Sequence, residues 1–141
     1  MDSPYPERRI IMNIVRALKL EPGKAAEVVY LETELKTLQE AVGGLIEFCY
    51  PAELEEIRGM IMCNEEGKIY RLTANRPLYG EDEQMYDIVV GTCYIMKDDY
   101  SGGIESLSNE DIEYIRKIPH LWYGGVPFKI GGEIHWLTDM E

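Results

Sequence analysis

The sequence predicts a small α+β fold: an antiparallel-rich mixed sheet with two main helices, one layer of helices on one sheet, and a C-terminal β-hairpin. Three observations predict it. Short apolar runs rich in Val, Ile, Leu and Tyr alternate with turns carrying Gly and Pro. Two segments, 33–43 and 108–118, place apolar residues at helical spacing between cap residues. Gly131-Gly132 stands between two further strand-like runs.

Residues 1–11 hold two prolines among mostly polar neighbours and read as a flexible N-terminal arm. Residues 12–141 read as one domain, with the hairpin extension beginning at about residue 119. Strand-like residues 12–20 lead into Glu21-Pro22-Gly23-Lys24, a turn because Pro fixes φ and Gly tolerates positive φ. Residues 25–31 are expected to return as the second strand.

Thr33 is the expected N-cap of the first helix, Leu35, Leu38 and Val42 its apolar stripe, and Gly43 its left-handed stop. Residues 45–50 form a third strand ended by Pro51, and 52–58 a short solvated helix or loop. A second hairpin is expected from 60–64 and 68–73 around Glu65-Glu66-Gly67. A polar loop, 74–83, then precedes one long strand, 86–96. Its apolar run Ile88-Val89-Val90 suggests a central strand, and Gly91 a bulge or a close approach.

Ser108 and Asp111 have the spacing of a capping box, with Ile112, Ile115 and Ile118 facing the core. Residues 126–130 and 133–137 close the chain as a hairpin, with Val126, Phe128 and Ile130 on one face and Ile134 and Trp136 available opposite, which suits docking by a single face.

The 141 residues include 26 Asp and Glu against 14 Lys and Arg, a formal net charge of −12. Such a field repels nucleic-acid phosphates and anionic membranes, so direct nucleic-acid binding is not expected. A basic host protein is the partner that this charge favours, with acidic clusters at 53–56, 81–83 and 110–113. Cys49, Cys63 and Cys93 form no CxxC pair, leave an odd count and sit in apolar runs. They read as inert, buried free thiols in a reducing, cytoplasmic setting. No apolar run is long enough to span a membrane.

Several motifs recur in a fixed order. Glu21-Pro22-Gly23-Lys24 is followed by Leu38-Gln39-Glu40 and Val42-Gly43-Gly44-Leu45-Ile46-Glu47. Then come Cys63-Asn64-Glu65-Glu66-Gly67-Lys68, Asn75-Arg76-Pro77-Leu78-Tyr79 and Tyr86-Asp87-Ile88-Val89-Val90-Gly91-Thr92. Together they resemble the family catalogued as domain of unknown function 3846, over about residues 12–115. The resemblance implies a small domain common in bacteriophages and in mobile elements of Firmicutes, and implies no reaction and no catalytic residue.

The expected ligand-binding residues are Glu47, Asn75, Arg76, Tyr79, Thr92 and Tyr94. Arg76 offers a planar fork for phosphate or carboxylate, Asn75 donates and accepts, and Tyr79 has a ring that can stack on a base. Thr92 and Tyr94 alternate on the following strand and face the same hollow in this reading. Glu47 is either a surface glutamate or a polar residue facing that hollow. Gly43-Gly44 follows a helix, so a C-cap explains it better than a phosphate loop. His120 and His135 belong to no spaced metal motif.

The sequence therefore points to a non-enzymatic protein binding a small nucleotide-like ligand, without cofactor. In the setting that the resemblance implies, it would sequester a host immune signal as counter-defence. The alternatives are an acidic DNA mimic that inhibits a host nucleic-acid enzyme, and an assembly subunit without ligand. The aromatic tail, 119–141, with both tryptophans, suggests a homodimer.

Overall fold

The computed structural model describes residues 13–124 and 126–137, the strands of the last hairpin by their backbone; the arm expected at 1–11 lies outside them. Along the chain run β1 (Ile14–Leu20), β2 (Glu27–Glu32), α1 (Leu35–Val42), β3 (Ile46–Cys49), a 3-10 helix (Ala52–Ile57) and β4 (Gly59–Asn64). They are followed by β5 (Ala74–Tyr79), β6 (Met85–Val90), β7 (Cys93–Asp98), β8 (Ile104–Glu105), α2 (Asn109–Arg116), α3 (Pro119–Trp122), β9 (Val126–Ile130) and β10 (Glu133–Leu137). The main sheet has the order β2-β1-β7-β4-β3, with β8 added to β7, while β5–β6 and β9–β10 pair separately. All pairings are antiparallel, and the fold is α+β.

Side-chain alternation makes the main sheet apolar on both faces. Ala17, Met60, Met62, Tyr94 and Met96 point to one side and meet Leu38 and Val42 of α1. Leu18, Leu20, Ile61, Cys63, Cys93 and Ile95 point to the other and meet Leu54, Leu78, Val89 and the α2–α3 residues Ile112, Ile115, Leu121 and Trp122. Helices therefore cover both faces, not the single layer expected.

The long strand expected over 86–96 is two strands. Gly91 has φ +73° and donates its N–H to the Thr73 carbonyl at 2.7 Å, which turns the chain. β7 lies at the centre of the main sheet, whereas β6, with Ile88-Val89-Val90, pairs among the described residues with β5 alone. The polar loop expected at 74–83 is largely β5. Residues 68–73 form no strand, because β3 and β7 already occupy both edges of β4. They coil instead, with Leu72 N–H on the Gly67 carbonyl at 2.9 Å.

Local cap chemistry is mostly as read. Gly43 ends α1 in the left-handed region, and its N–H reaches the Gln39 and Glu40 carbonyls. Ser108 and Asp111 form the full capping box of α2. Thr33 does not cap α1. The N-cap is Glu34, and Thr33 donates its hydroxyl to the Asn13 carbonyl at 3.1 Å, where it fastens the end of the β1–β2 pair. Leu35, read as part of the apolar stripe, is 62% exposed. In the last hairpin Trp136 stands opposite Pro127 and Ile134 opposite Lys129. The docking face expected of this hairpin rests on side chains that lie outside the described residues.

Candidate functional site

Asn75 and Arg76 come together, but inside the protein. Both are fully buried at the start of β5. Arg76 donates from Nε to the Leu121 carbonyl (2.9 Å), from Nη1 to the Glu21 carbonyl (2.9 Å) and Asn75 Oδ1 (2.6 Å), and from Nη2 to the Lys24 (2.6 Å) and Trp122 (3.3 Å) carbonyls. A guanidinium has five N–H groups, and all five have an acceptor here. Burial lowers Arg76 to about 10, so it remains charged at neutral pH. Asn75 Nδ2 donates to the Leu20 (2.9 Å) and Gly91 (2.7 Å) carbonyls. The pair knots the β1–β2 turn, α3 and the start of β7 together.

The other expected residues lie apart. Tyr94 is buried on the opposite face of the sheet, with its hydroxyl towards the Ala41 carbonyl at 3.5 Å. Thr92 is half-buried in the β6–β7 turn. Tyr79 sets its ring edge against His120, centroids 4.7 Å apart, and its N–H on Glu53 Oε1 at 3.2 Å. Glu53 also faces His120 Nε2 at 2.5 Å and accepts the Tyr114 hydroxyl on its backbone carbonyl. Burial raises Tyr79, and the Glu53 charge adds to the effect. The Glu53–His120 pairing joins residues far apart in the chain, and no spacing rule could have found it.

Glu47 is exposed on β3 and borders a cleft of about 170 Å³ between the main sheet and β6, floored by Cys49 and Cys63. The two sulfurs lie 3.8 Å apart. Lys68 and Asp87 form an ion pair across the same cleft. Cys49 is only half-buried, so the reading of three enclosed thiols holds for Cys63 and Cys93 alone.

Connected hollows lie on the α1 side. With only eight residues, α1 covers part of the sheet face and leaves the ends of β3, β4 and β8 open. The result is a groove of about 350 Å³ lined by Leu35, Leu38, Ile46, Phe48, Met60 and Ile104. At Tyr50 and Asp98 it runs on into a second hollow of about 580 Å³ beside Glu55, Arg58 and Tyr100. Arg58 offers no free positive charge there. Its guanidinium pairs with Glu105, donates to the Asp98 carbonyl at 2.7 Å and lies over the Tyr100 ring. Asp99 borders a further hollow that shares Thr33, Gly102, Gly103 and Ile104 with the groove. The Ser101 and Gly103 N–H groups and the Ser101 hydroxyl hold its carboxyl below the usual aspartate range. The trough is thus an apolar floor with an anionic rim, and no sequence motif marks it.

A family model described as domain of unknown function (DUF3846) matches residues 15–120, more than half of the chain. No curated protein and no solved structure matches the chain.

Proposed function

This chain belongs to the domain of unknown function 3846 family, and from that premise we propose that it is a non-enzymatic binding protein working through the trough beside α1. Its partner is a protein that presents an apolar segment flanked by lysine or arginine. The observation that carries this reading is the joining of an apolar floor (Ile46, Phe48, Met60) to an anionic rim (Asp98, Asp99, Glu55) on one open surface. The net charge of −12 would draw a cationic partner to it. A basic host enzyme is one such partner, which joins this reading to the acidic-inhibitor alternative and, in a phage or mobile element, to counter-defence.

Capture of a nucleotide-like ligand has less support. Arg76 has committed every donor to the protein's own carbonyls and Asn75, and the trough rim carries carboxylates that repel phosphate. A homodimer remains part of the proposal.

Titration calorimetry tests the reading with three probes: an amphipathic Leu/Lys peptide, a Ser/Lys peptide of equal charge, and a panel of cyclic and ADP-ribose-type nucleotides. The Leu/Lys peptide is expected to bind in the micromolar range, about −8 kcal/mol, and to lose that binding in Phe48→Asp. The Ser/Lys peptide should bind far more weakly. Equal binding of both peptides, an unaffected Phe48→Asp variant, or nucleotide binding alone would overturn it.

A further inference from the structure

We propose that Cys49 and Cys63 form a thiol–disulfide exchange site, with Cys49 as the attacking sulfur and Cys63 as the resolving one, acting on a small disulfide of the glutathione class. Four observations converge on it. Glu47 stands opposite Cys63 and Cys49 opposite Ile61, so the two cysteines are diagonal neighbours on one face of the β3–β4 pair. Their sulfurs are 3.8 Å apart. Both line the cleft of about 170 Å³, Cys49 half-buried and Cys63 only 6% exposed. β3 is one edge strand of the main sheet, four residues long and, among the described residues, paired with β4 alone. Drawing the sulfurs together to a bond of about 2.05 Å therefore disturbs a single ladder.

The surroundings give the pair a direction. The hydrogen bond from Cys63 holds Cys49 below the ordinary thiol range, with the Lys68 ammonium helping against burial, Glu47 and Asp87. The same contact, with burial, pushes Cys63 upward. The thiolate is the attacking species, so the accessible sulfur is also the more nucleophilic one. Cys93 is fully buried and pushed up to about 12 by burial, which makes it an internal control.

The chemistry balances in two steps. Cys49 thiolate attacks one sulfur of the disulfide, forms a mixed disulfide and releases the first thiol, which takes up the proton Cys49 has lost. Cys63 then attacks Cys49 Sγ, forms the Cys49–Cys63 bond, and releases the second thiol with the Cys63 proton. The protein gives up two electrons and two protons, and the disulfide becomes two thiols.

The test uses the full-length reduced chain, glutathione disulfide, and alkylation after an acid quench and denaturation, read by peptide mass. Wild type is expected to lose Cys49 and Cys63 together, as an intramolecular disulfide, at least about tenfold faster than Cys93 reacts. Cys63→Ser should stop at glutathione on Cys49, Cys93→Ser should behave as wild type, and dithiothreitol should restore both thiols. The wild-type measurement needs no substitution and stands even if a variant folds poorly. A mixed disulfide that wild type never resolves, loss of Cys93 at the same rate, or a chain that stays reduced would overturn the proposal.

Discussion

Arg76 Nη1 donates to Asn75 Oδ1 at 2.6 Å, so two consecutive polar residues form one buried bracket. Asn75 reaches from it to the end of β1 and to Gly91, and Arg76 to the β1–β2 turn and α3. Arg76→Lys keeps the charge but has three donors in place of five, with no planar fork. It removes at least two of the five hydrogen bonds that the guanidinium makes. Destabilisation on the order of 3 kcal/mol is expected, read as a lower urea midpoint with unchanged slope. A midpoint equal to wild type would show that the bracket is not structural.

Gly91 and Gly102 both lie in the left-handed region, at φ +73° and +87°, yet their surroundings differ. A Cβ on Gly91 would meet Leu72 Cδ1 at 2.7 Å, while one on Gly102 would meet nothing within 4 Å. Gly102→Ala should therefore cost about 1 kcal/mol from backbone conformation alone. Gly91→Ala should cost about 2–4 kcal/mol, because the half-buried Leu72, met at Cβ as well as Cδ1, has to move too. Thermal melts of the two variants compare the effects directly. Equal losses would mean that the β6–β7 turn absorbs the methyl group.

These cases show what the sequence made legible. The Ser108–Asp111 box and the Gly43 stop were readable because partner and acceptor lie within one turn. The chemistry of Asn75 and Arg76 was also visible, but not its direction: the carbonyls that they satisfy come from β1, α3 and the β6–β7 turn, which only the tertiary fold assembles. The apolar run through Ile88-Val89-Val90 concealed a strand break, since hydropathy does not register the turn at Gly91. Residues 68–73 have a strand pattern with no free edge to join. The trough beside α1 left no trace because it arises from what an eight-residue helix fails to cover.

Asp111 links the α2 cap to pH. Burial pushes its carboxyl up, but the Ser108 N–H, Lys97 and the Ser108 hydroxyl outweigh that and leave it below the ordinary aspartate value. Lys97 Nζ is 3.1 Å away. A folded-state pKa below the unfolded one contributes stability above the unfolded value, about 3.9, and loses it as pH falls through the folded value. Asp111→Asn should therefore cost about 1–2 kcal/mol at neutral pH. The gap between variant and wild type should close as pH falls below about 4. Urea melts of both proteins across this range provide the measurement. A gap that stays constant into acid would assign the loss to shape, not charge.

The outer edge of the main sheet carries the expectation for assembly. Among the described residues β2 pairs with β1 alone; it is six residues long and exposes Val28 (43%) and Tyr30 (66%). Two residues apart on a strand, they share a face. An unpaired edge of this kind templates another strand unless charge or a bulge blunts it. Antiparallel pairing of two β2 strands centred on Val29 sets Val28 of each copy opposite Tyr30 of the other, a favourable β-branched–aromatic pair. It also sets each Glu27 opposite a leucine instead of opposite Glu32, where two carboxylates would repel. Such a contact is isologous and closes as a two-fold dimer, so it does not propagate into fibres. Sedimentation velocity at micromolar concentration should show a dimer for wild type. Val28→Lys combined with Tyr30→Lys should yield a monomer whose melting temperature, extrapolated to low concentration, matches wild type. A wild-type chain that stays monomeric over a wide concentration range, or a dimer that survives both lysines, would rule this edge out.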